Sequence, residues 1–221
     1  MKEEYPISIT EMRERYLKLY TGAVNDVLRF EYDRHSAFPS RYVPLEPDMK
    51  MAGLAFTLKG GPDINTDGEM ERRAEMLESL PSDSIAVWDC TGDQVTAQWG
   101  EVMTMAAQRR GCHGAVVNGI RDTRSIRDQQ FPVFHQYRTN TGMLGRFRLY
   151  YWQKPVRIGD ITVEPYDWIF GDIDGLVCVP GEIAFDVLEK AEQVLDDEDG
   201  IREMVRDGIR PTEIVDKGGY F

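Results

Sequence analysis

Apolar residues along this chain change their spacing several times, and each change marks an element. Residues 8 to 31, beginning "SITEMRERYLKLY", carry them at helical intervals. The spacing predicts two short helices broken near Thr21 and Gly22. Residues 32 to 50 read as loop. "MAGLAFTLKGG" is a strand closed by a glycine pair, and "DGEMERRAEMLESL" a helix with an acidic start. "SIAVWDC" is a buried strand followed by the polar loop "TGDQVTAQ". "WGEVMTMAAQRRG" is a helix with Gly111 just past its end. "HGAVVNG" is a strand, "TRSIRDQQ" a short helix and "FPVFHQYRT" another strand. From about residue 147 β-branched and aromatic residues dominate, with turns at Gly159 and Asp160, Tyr166 and Asp167, and Asp174 and Gly175. A long helix begins near residue 181. Strand–helix alternation in the middle, hairpins late and helices at both ends predict a mixed α/β domain. Two sheets with helices outside fit this order better than a doubly wound dinucleotide fold. No strand is followed by a glycine-rich phosphate fingerprint.

Length and charge narrow the picture. The chain's 221 residues suit one domain, taken as residues 1 to 221, with N-terminal helices at 8 to 31, a core at 50 to 180 and a C-terminal helix and tail at 181 to 221. A net charge of −12 argues against nucleic acid or an anionic membrane as partner. A small anion remains open, because one arginine and a few backbone amides hold a carboxylate. Cys90, Cys112 and Cys178 each sit in an apolar run and read as buried reduced thiols. There is neither an apolar signal core nor a membrane-length run, so a cytoplasmic protein is expected.

Candidate chemistry centres on "QWGEVMTMAAQRRGCHGAVVNGIRDTRSI", residues 98 to 126. The first-turn amides of the helix opening at Gly100 and Glu101 favour a carboxylate or phosphate, and a glycine there allows close approach. Arg121 and Asp122 follow the next strand. They share a sheet end with the helix start only if the intervening loops fold back. Arg121 then clamps a carboxylate or polarises a carbonyl, Asp122 binds a hard cation, and together they suit an enolate. The plain alternative is a surface ion pair, since Arg-Asp also occurs at Arg127 and Asp128 and at Arg206 and Asp207. Glu101 has a plain role too, as an acid in a helix's first turn. His35, His113 and His135 form no metal spacing. Lys59, before Gly60 and Gly61, is a weaker candidate for a Schiff base. The acidic run at 196 to 200 reads as a solvated helix face.

Gly100, twenty residues, then Arg121 and Asp122 resembles the signature of the RraA-like superfamily, which holds divalent-metal 4-hydroxy-4-methyl-2-oxoglutarate aldolases and the regulator of ribonuclease E activity. "WGEVMTMAAQRRGCHGAVVNGIRD", "FPVF" and "GDIDGLVCVP" are similar to that family's segments, across roughly residues 15 to 206. The resemblance implies a swivelling β/β/α domain, two packed sheets flanked by helices, in a homotrimer or a dimer of trimers with sites between subunits. It implies that amides around Gly100, Glu101, Val102 and Met103 hold a pyruvate carboxylate, that Arg121 contacts the pyruvyl oxygen and that Asp122 binds Mg²⁺ or Mn²⁺. Asp93, before the helix, corresponds to an acid that holds metal-bound water. The resemblance also implies that Glu198 on a neighbour's last helix reaches the site, with Asp197 or Asp199 in its place if the register slips.

One departure stands out. The aldolase signature continues with two residues and an acid, where this chain has Thr123, Arg124 and Ser125. A missing supporting acid weakens metal sites by tenfold or more. Arg138, Arg146 and Arg148 are candidate readers of a polyhydroxy or dicarboxylate substrate, or solvated rim charges. The resemblance therefore implies a metal-dependent lyase that splits a 4-hydroxy-2-oxo acid to pyruvate and a carbonyl compound, with oxaloacetate decarboxylation by the same logic. The alternatives are a non-catalytic regulator that binds a protein partner, and a lyase or hydratase of sugar-derived oxo acids.

Overall fold

The computed structural model describes residues 4 to 219. Its elements are α1 (Ile9–Tyr16), α2 (Thr21–Tyr32), β1 (Val43–Pro44), β2 (Met51–Pro62), α3 (Glu69–Glu78), β3 (Ser84–Asp89), α4 (Glu101–Arg109), β4 (Ala115–Ile120), α5 (Thr123–Asp128), β5 (Val133–Arg138), β6 (Phe147–Trp152), β7 (Val156–Ile158), β8 (Ile161–Val163), β9 (Trp168–Asp172), β10 (Gly175–Val179), α6 (Ala184–Arg206) and α7 (Pro211–Asp216). The break between the first two helices falls at residues 17 to 20, and Thr21 opens α2 instead of ending α1. β1 and α7 carried no legible signal: β1 is two residues in the stretch read as loop, and α7 is six residues around the buried Ile214.

The main sheet runs β1-β5-β4-β3-β2-β9-β10, with β6 on β2 and β7-β8 as a separate two-stranded sheet. β2, β3, β4 and β5 are parallel, with Leu54 facing Ser84, Ala86 facing Ala115 and Val116 facing Phe134. β2 is long enough for one edge to serve two partners. Its start pairs antiparallel with β9 and its end with β6. Ten of its twelve residues are buried, the continuous pattern of a strand covered on both faces.

Three apolar clusters cover the sheet. Met76, Leu80, Ala107 and Ile126 bring α3, α4 and α5 onto Phe56, Leu58, Trp88 and Val117. On the other face, Val156, Ile158, Ile161 and Val163 of the β7-β8 hairpin pack on Ala55, Val87 and Val116. At the far end α1, α2 and α6 close over β9, β10 and the start of β2 through Tyr16, Leu28, Trp168 and Leu188. All three cysteines are buried and unpaired. No helix among the described residues is long and apolar enough to cross a membrane.

Two polar contacts pin this arrangement. Asp172 at the end of β9 accepts from the Thr21 amide at 2.8 Å and the Thr21 hydroxyl at 2.7 Å, tying the first turn of α2 to the hairpin. Replacing Asp172 by alanine strands that buried amide. The expected loss is about 1–3 kcal/mol in urea unfolding. His135 on β5 is buried, and its Nδ1 has no partner among the described residues. Burial, helped by the Arg138 charge, pushes its imidazole down to about 4. The unfolded ring titrates near 6.5, so the unfolded chain takes up the proton first. This contribution is complete above pH 6.5 and is lost as pH falls towards 4. Unfolding curves at pH 7 and 5 should show His135→Gln removing up to about 1.4 kcal/mol per pH unit of that slope.

Candidate active site

The loop between β3 and α4 does fold back. Trp99 forms a parallel bridge with Ile120. Its amide donates to Gly119 O at 3.4 Å, and its carbonyl accepts from the Arg121 amide at 3.1 Å. The indole is fixed from two sides. Its Nε1 donates to Thr104 Oγ1 at 2.9 Å, and its ring stacks on Phe131. Trp99 is fully buried, so Gly100 is set against the end of β4 with little freedom.

Arg121 and Asp122 meet the start of α4 there. A Cβ on Gly100 would lie 2.8 Å from Asp122 Oδ2, so glycine leaves room for that carboxylate. The same oxygen accepts from Arg121 Nε at 3.3 Å and, at a long 3.4 Å, from the Glu101 amide. Asp122 adopts φ 55°, a left-handed conformation that aspartate tolerates better than most residues. Thr104 N to Gly100 O is the first turn-closing bond of α4. The amides of Val102 and Met103 precede it and have no acceptor within the helix.

These groups line a cleft of about 370 Å³. Gly100, Glu101, Val102, Met103, Arg121 and Asp122 all contribute to it. Its other walls were not legible in the sequence. Met70, Arg73, Ala74 and Leu77 come from one face of α3, and Gly142, Met143 and Leu144 from the loop before β6. The helical spacing of the α3 residues is visible in the chain, but nothing local says which surface they face.

Asp93 lies elsewhere, which corrects the expectation that it joins Arg121 and Asp122. It lines a second cleft with Tyr42, Asn118 and Gln136. Its Oδ2 accepts from the Thr96 amide, the Thr96 hydroxyl, Gln98 Nε2 and the Tyr137 hydroxyl. Four donors on one buried oxygen make a staple for the loop. Gln98 carries the constraint onward, because its Oε1 accepts from the Gly119 amide at 2.8 Å. Glu198 does not line the Arg121 cleft of its own chain and bonds instead to Tyr20 and Arg202. Lys59 is paired with Asp89 at 2.7 Å. His113 packs against Arg13 and Asp83, and burial lowers its pKa. Arg138 donates to Leu45 O, and Arg148 to Asp67 O.

The cleft's fit to a divalent cation rests on Asp122. Among the described residues no three His, Cys, Asp or Glu side chains gather as a metal cage. A cation held by Asp122 would take most of its ligands from water and substrate. That is the habit of Mg²⁺ rather than of zinc or calcium. Ser125 on α5, where the aldolase signature carries an acid, does not line this cleft.

The RraA-like family (Aldolase/RraA) matches residues 21–178, and the chain belongs to that family. It is 30% identical over 171 residues to protein DlpA of Legionella pneumophila, covering 75% of this chain but only 27% of that longer protein. It is 27% identical over 195 residues to a protein of Halalkalibacterium halodurans named as a candidate 4-hydroxy-4-methyl-2-oxoglutarate aldolase, covering 86% of each. Among solved structures, one of the "novel cellulases from microbes associated with the gut ecosystem" superposes with a TM-score of 0.87 at 42% identity, over 90% of each chain.

Gly100→Ala tests the contact between α4 and Asp122. Its added Cβ meets the far end of a movable side chain, so stability should stay within about 0.5 kcal/mol of the parent. Mn²⁺ binding by calorimetry should weaken by roughly tenfold as the carboxylate is displaced.

Proposed function

We propose that this protein is a divalent-metal-dependent carbon–carbon lyase that splits a 4-hydroxy-2-oxo acid into pyruvate and a carbonyl compound. The observation that carries this reading is Arg121 and Asp122 held against the first turn of α4. Their side chains are 47% and 39% exposed, and an ion pair so open to water stabilises a fold by about 0.2–1 kcal/mol. The left-handed backbone at Asp122 adds nothing to that. Stability therefore does not account for the arrangement, whereas chemistry on an anion does.

In this reading the amides of Val102 and Met103 take the substrate carboxylate. Arg121 faces the C2 oxygen. As the C3–C4 bond breaks, its electron pair passes into the C2 carbonyl and leaves an enolate, whose charge Arg121 offsets. The C4 hydroxyl loses its proton and becomes the carbonyl of the second product. The enolate is then protonated at C3 to give pyruvate. Asp122 would hold Mg²⁺ or Mn²⁺, which supplies Lewis-acid stabilisation of the same oxygen when bound. Asp93 acts as a positioning residue through Gln98. Glu198, supplied by a second copy in a trimeric assembly, is the proposed proton acceptor. The same enolate stabilisation would decarboxylate oxaloacetate. The name of the Halalkalibacterium relative supports this reaction class.

A second reading, a non-catalytic protein that binds another protein, is favoured by Ser125 in place of an acid. The exposed Val102 and Met105 beside the cleft favour it too. A sugar-derived oxo acid would change only the acceptor half of the first reading.

Pyruvate release, coupled to lactate dehydrogenase, tests the reaction on oxaloacetate and a panel of 4-hydroxy-2-oxo acids. Turnover should require Mg²⁺ or Mn²⁺ and stop with chelator. Arg121→Ala and Asp122→Ala should each lower kcat by about 10²–10³-fold. Absence of turnover on every substrate, with no metal binding by calorimetry, would overturn the lyase and leave the protein-binding reading.

A further inference from the structure

We propose that Arg73 is the residue that sets substrate specificity in this cleft, by receiving an anionic group on the half of the substrate that does not become pyruvate. The proposal rests on the oxo-acid reading of the site, but its evidence is separate. Met70, Arg73, Ala74 and Leu77 form one face of α3 and one wall of the cleft. Arg73 is the sole charged group on that otherwise apolar face. One oriented polar group in an apolar wall is how small-molecule sites gain specificity.

Its guanidinium is held from behind. Glu69, one turn earlier and fully buried, accepts from Arg73 Nε at 2.8 Å and from the Leu149 amide at 3.2 Å. The second Glu69 oxygen has no hydrogen bond, and its nearest cation is Arg148 Nε at 3.7 Å. Two arginines, with side chains 13% and 17% exposed, thus share one buried carboxylate. Glu69 supplies one negative charge between the two.

Nη2 of Arg73 sharpens the point. It is buried and has no hydrogen-bond partner. A buried charged donor without an acceptor is costly, and in a folded protein it calls for one that arrives later. Arg73 lines the cleft, so a carboxylate there can draw this donor out to meet it, and the planar guanidinium suits that geometry. Arg121 and the α4 amides then hold one end of the substrate while Arg73 reads the other. Substrates with a carboxylate at the far end are favoured over equally long ones ending in methyl.

Binding of unreactive probes tests this without requiring turnover. Calorimetry in Mg²⁺ compares 2-oxoglutarate with 2-oxohexanoate, which differ in the terminal carboxylate. The parent protein should bind 2-oxoglutarate at least tenfold more tightly. In Arg73→Gln that ratio should fall to within about twofold, with 2-oxohexanoate affinity unchanged. Arg73→Lys, which keeps the charge and loses the fork, should retain an intermediate ratio, and it decides the matter if the glutamine variant does not fold. Equal binding of the two probes by the parent would overturn the proposal, as would a ratio unaltered in the variants or an equal loss for both probes. If pyruvate is never released but the ratio behaves as stated, the lyase reading fails and Arg73 stands as the reader of a distal carboxylate on a bound 2-oxo acid.

Discussion

The site depends on a short parallel pairing of Trp99 with the end of β4. Without it, the start of α4 and the pair Arg121 and Asp122 would be separate features, one at a helix end and one at a strand end. The pairing is secured on all sides. The indole is bonded to Thr104 and stacked on Phe131. The chain before it is stapled by Asp93, with Gln98 reaching across to Gly119. The glycines permit the approach. A side chain on Gly119 would strike the Thr96 carbonyl at 2.2 Å, and one on Gly100 would strike Asp122. Backbone hydrogen bonds set the distances, and the small residues allow them.

Rigidity behind the site contrasts with exposure in front of it. The supporting residues Gln98, Trp99 and Thr104 are buried, whereas Arg121, Asp122 and Val102 are open to solvent. This division suits chemistry on a small anion. Buried neighbours hold the donors in place, and the open face admits a small ligand. Asp93 illustrates the division. It stands on the sequence as an acid near the helix, but its carboxylate oxygen is filled by four donors and is spent on structure.

Much of the architecture was legible because local signals were strong. β2 and β3 are continuous apolar runs, α3 and α4 have apolar faces at helical spacing, and the late hairpins carry turn residues at their bends. Where signals were short they failed: β1 has two residues and α7 six, too few for a period to show. The first helix break lies before Thr21, not at it, because Thr21 opens α2 and is tied there to Asp172, a contact that local spacing does not reveal.

The sequence by itself determined the residue types of the candidate stretch, their order and the family they belong to. Gly100, Arg121 and Asp122 are legible because a glycine before a helix and a charged pair after a strand are local patterns. Only the tertiary structure decided that these groups share one cleft, that Asp93 faces another, and that α3 supplies a wall bearing Arg73. The physical reason is that proximity across the sheet end is set by strand pairing and loop return over long stretches of chain. Periodicity reports which face of an element is apolar and is silent on what that face meets.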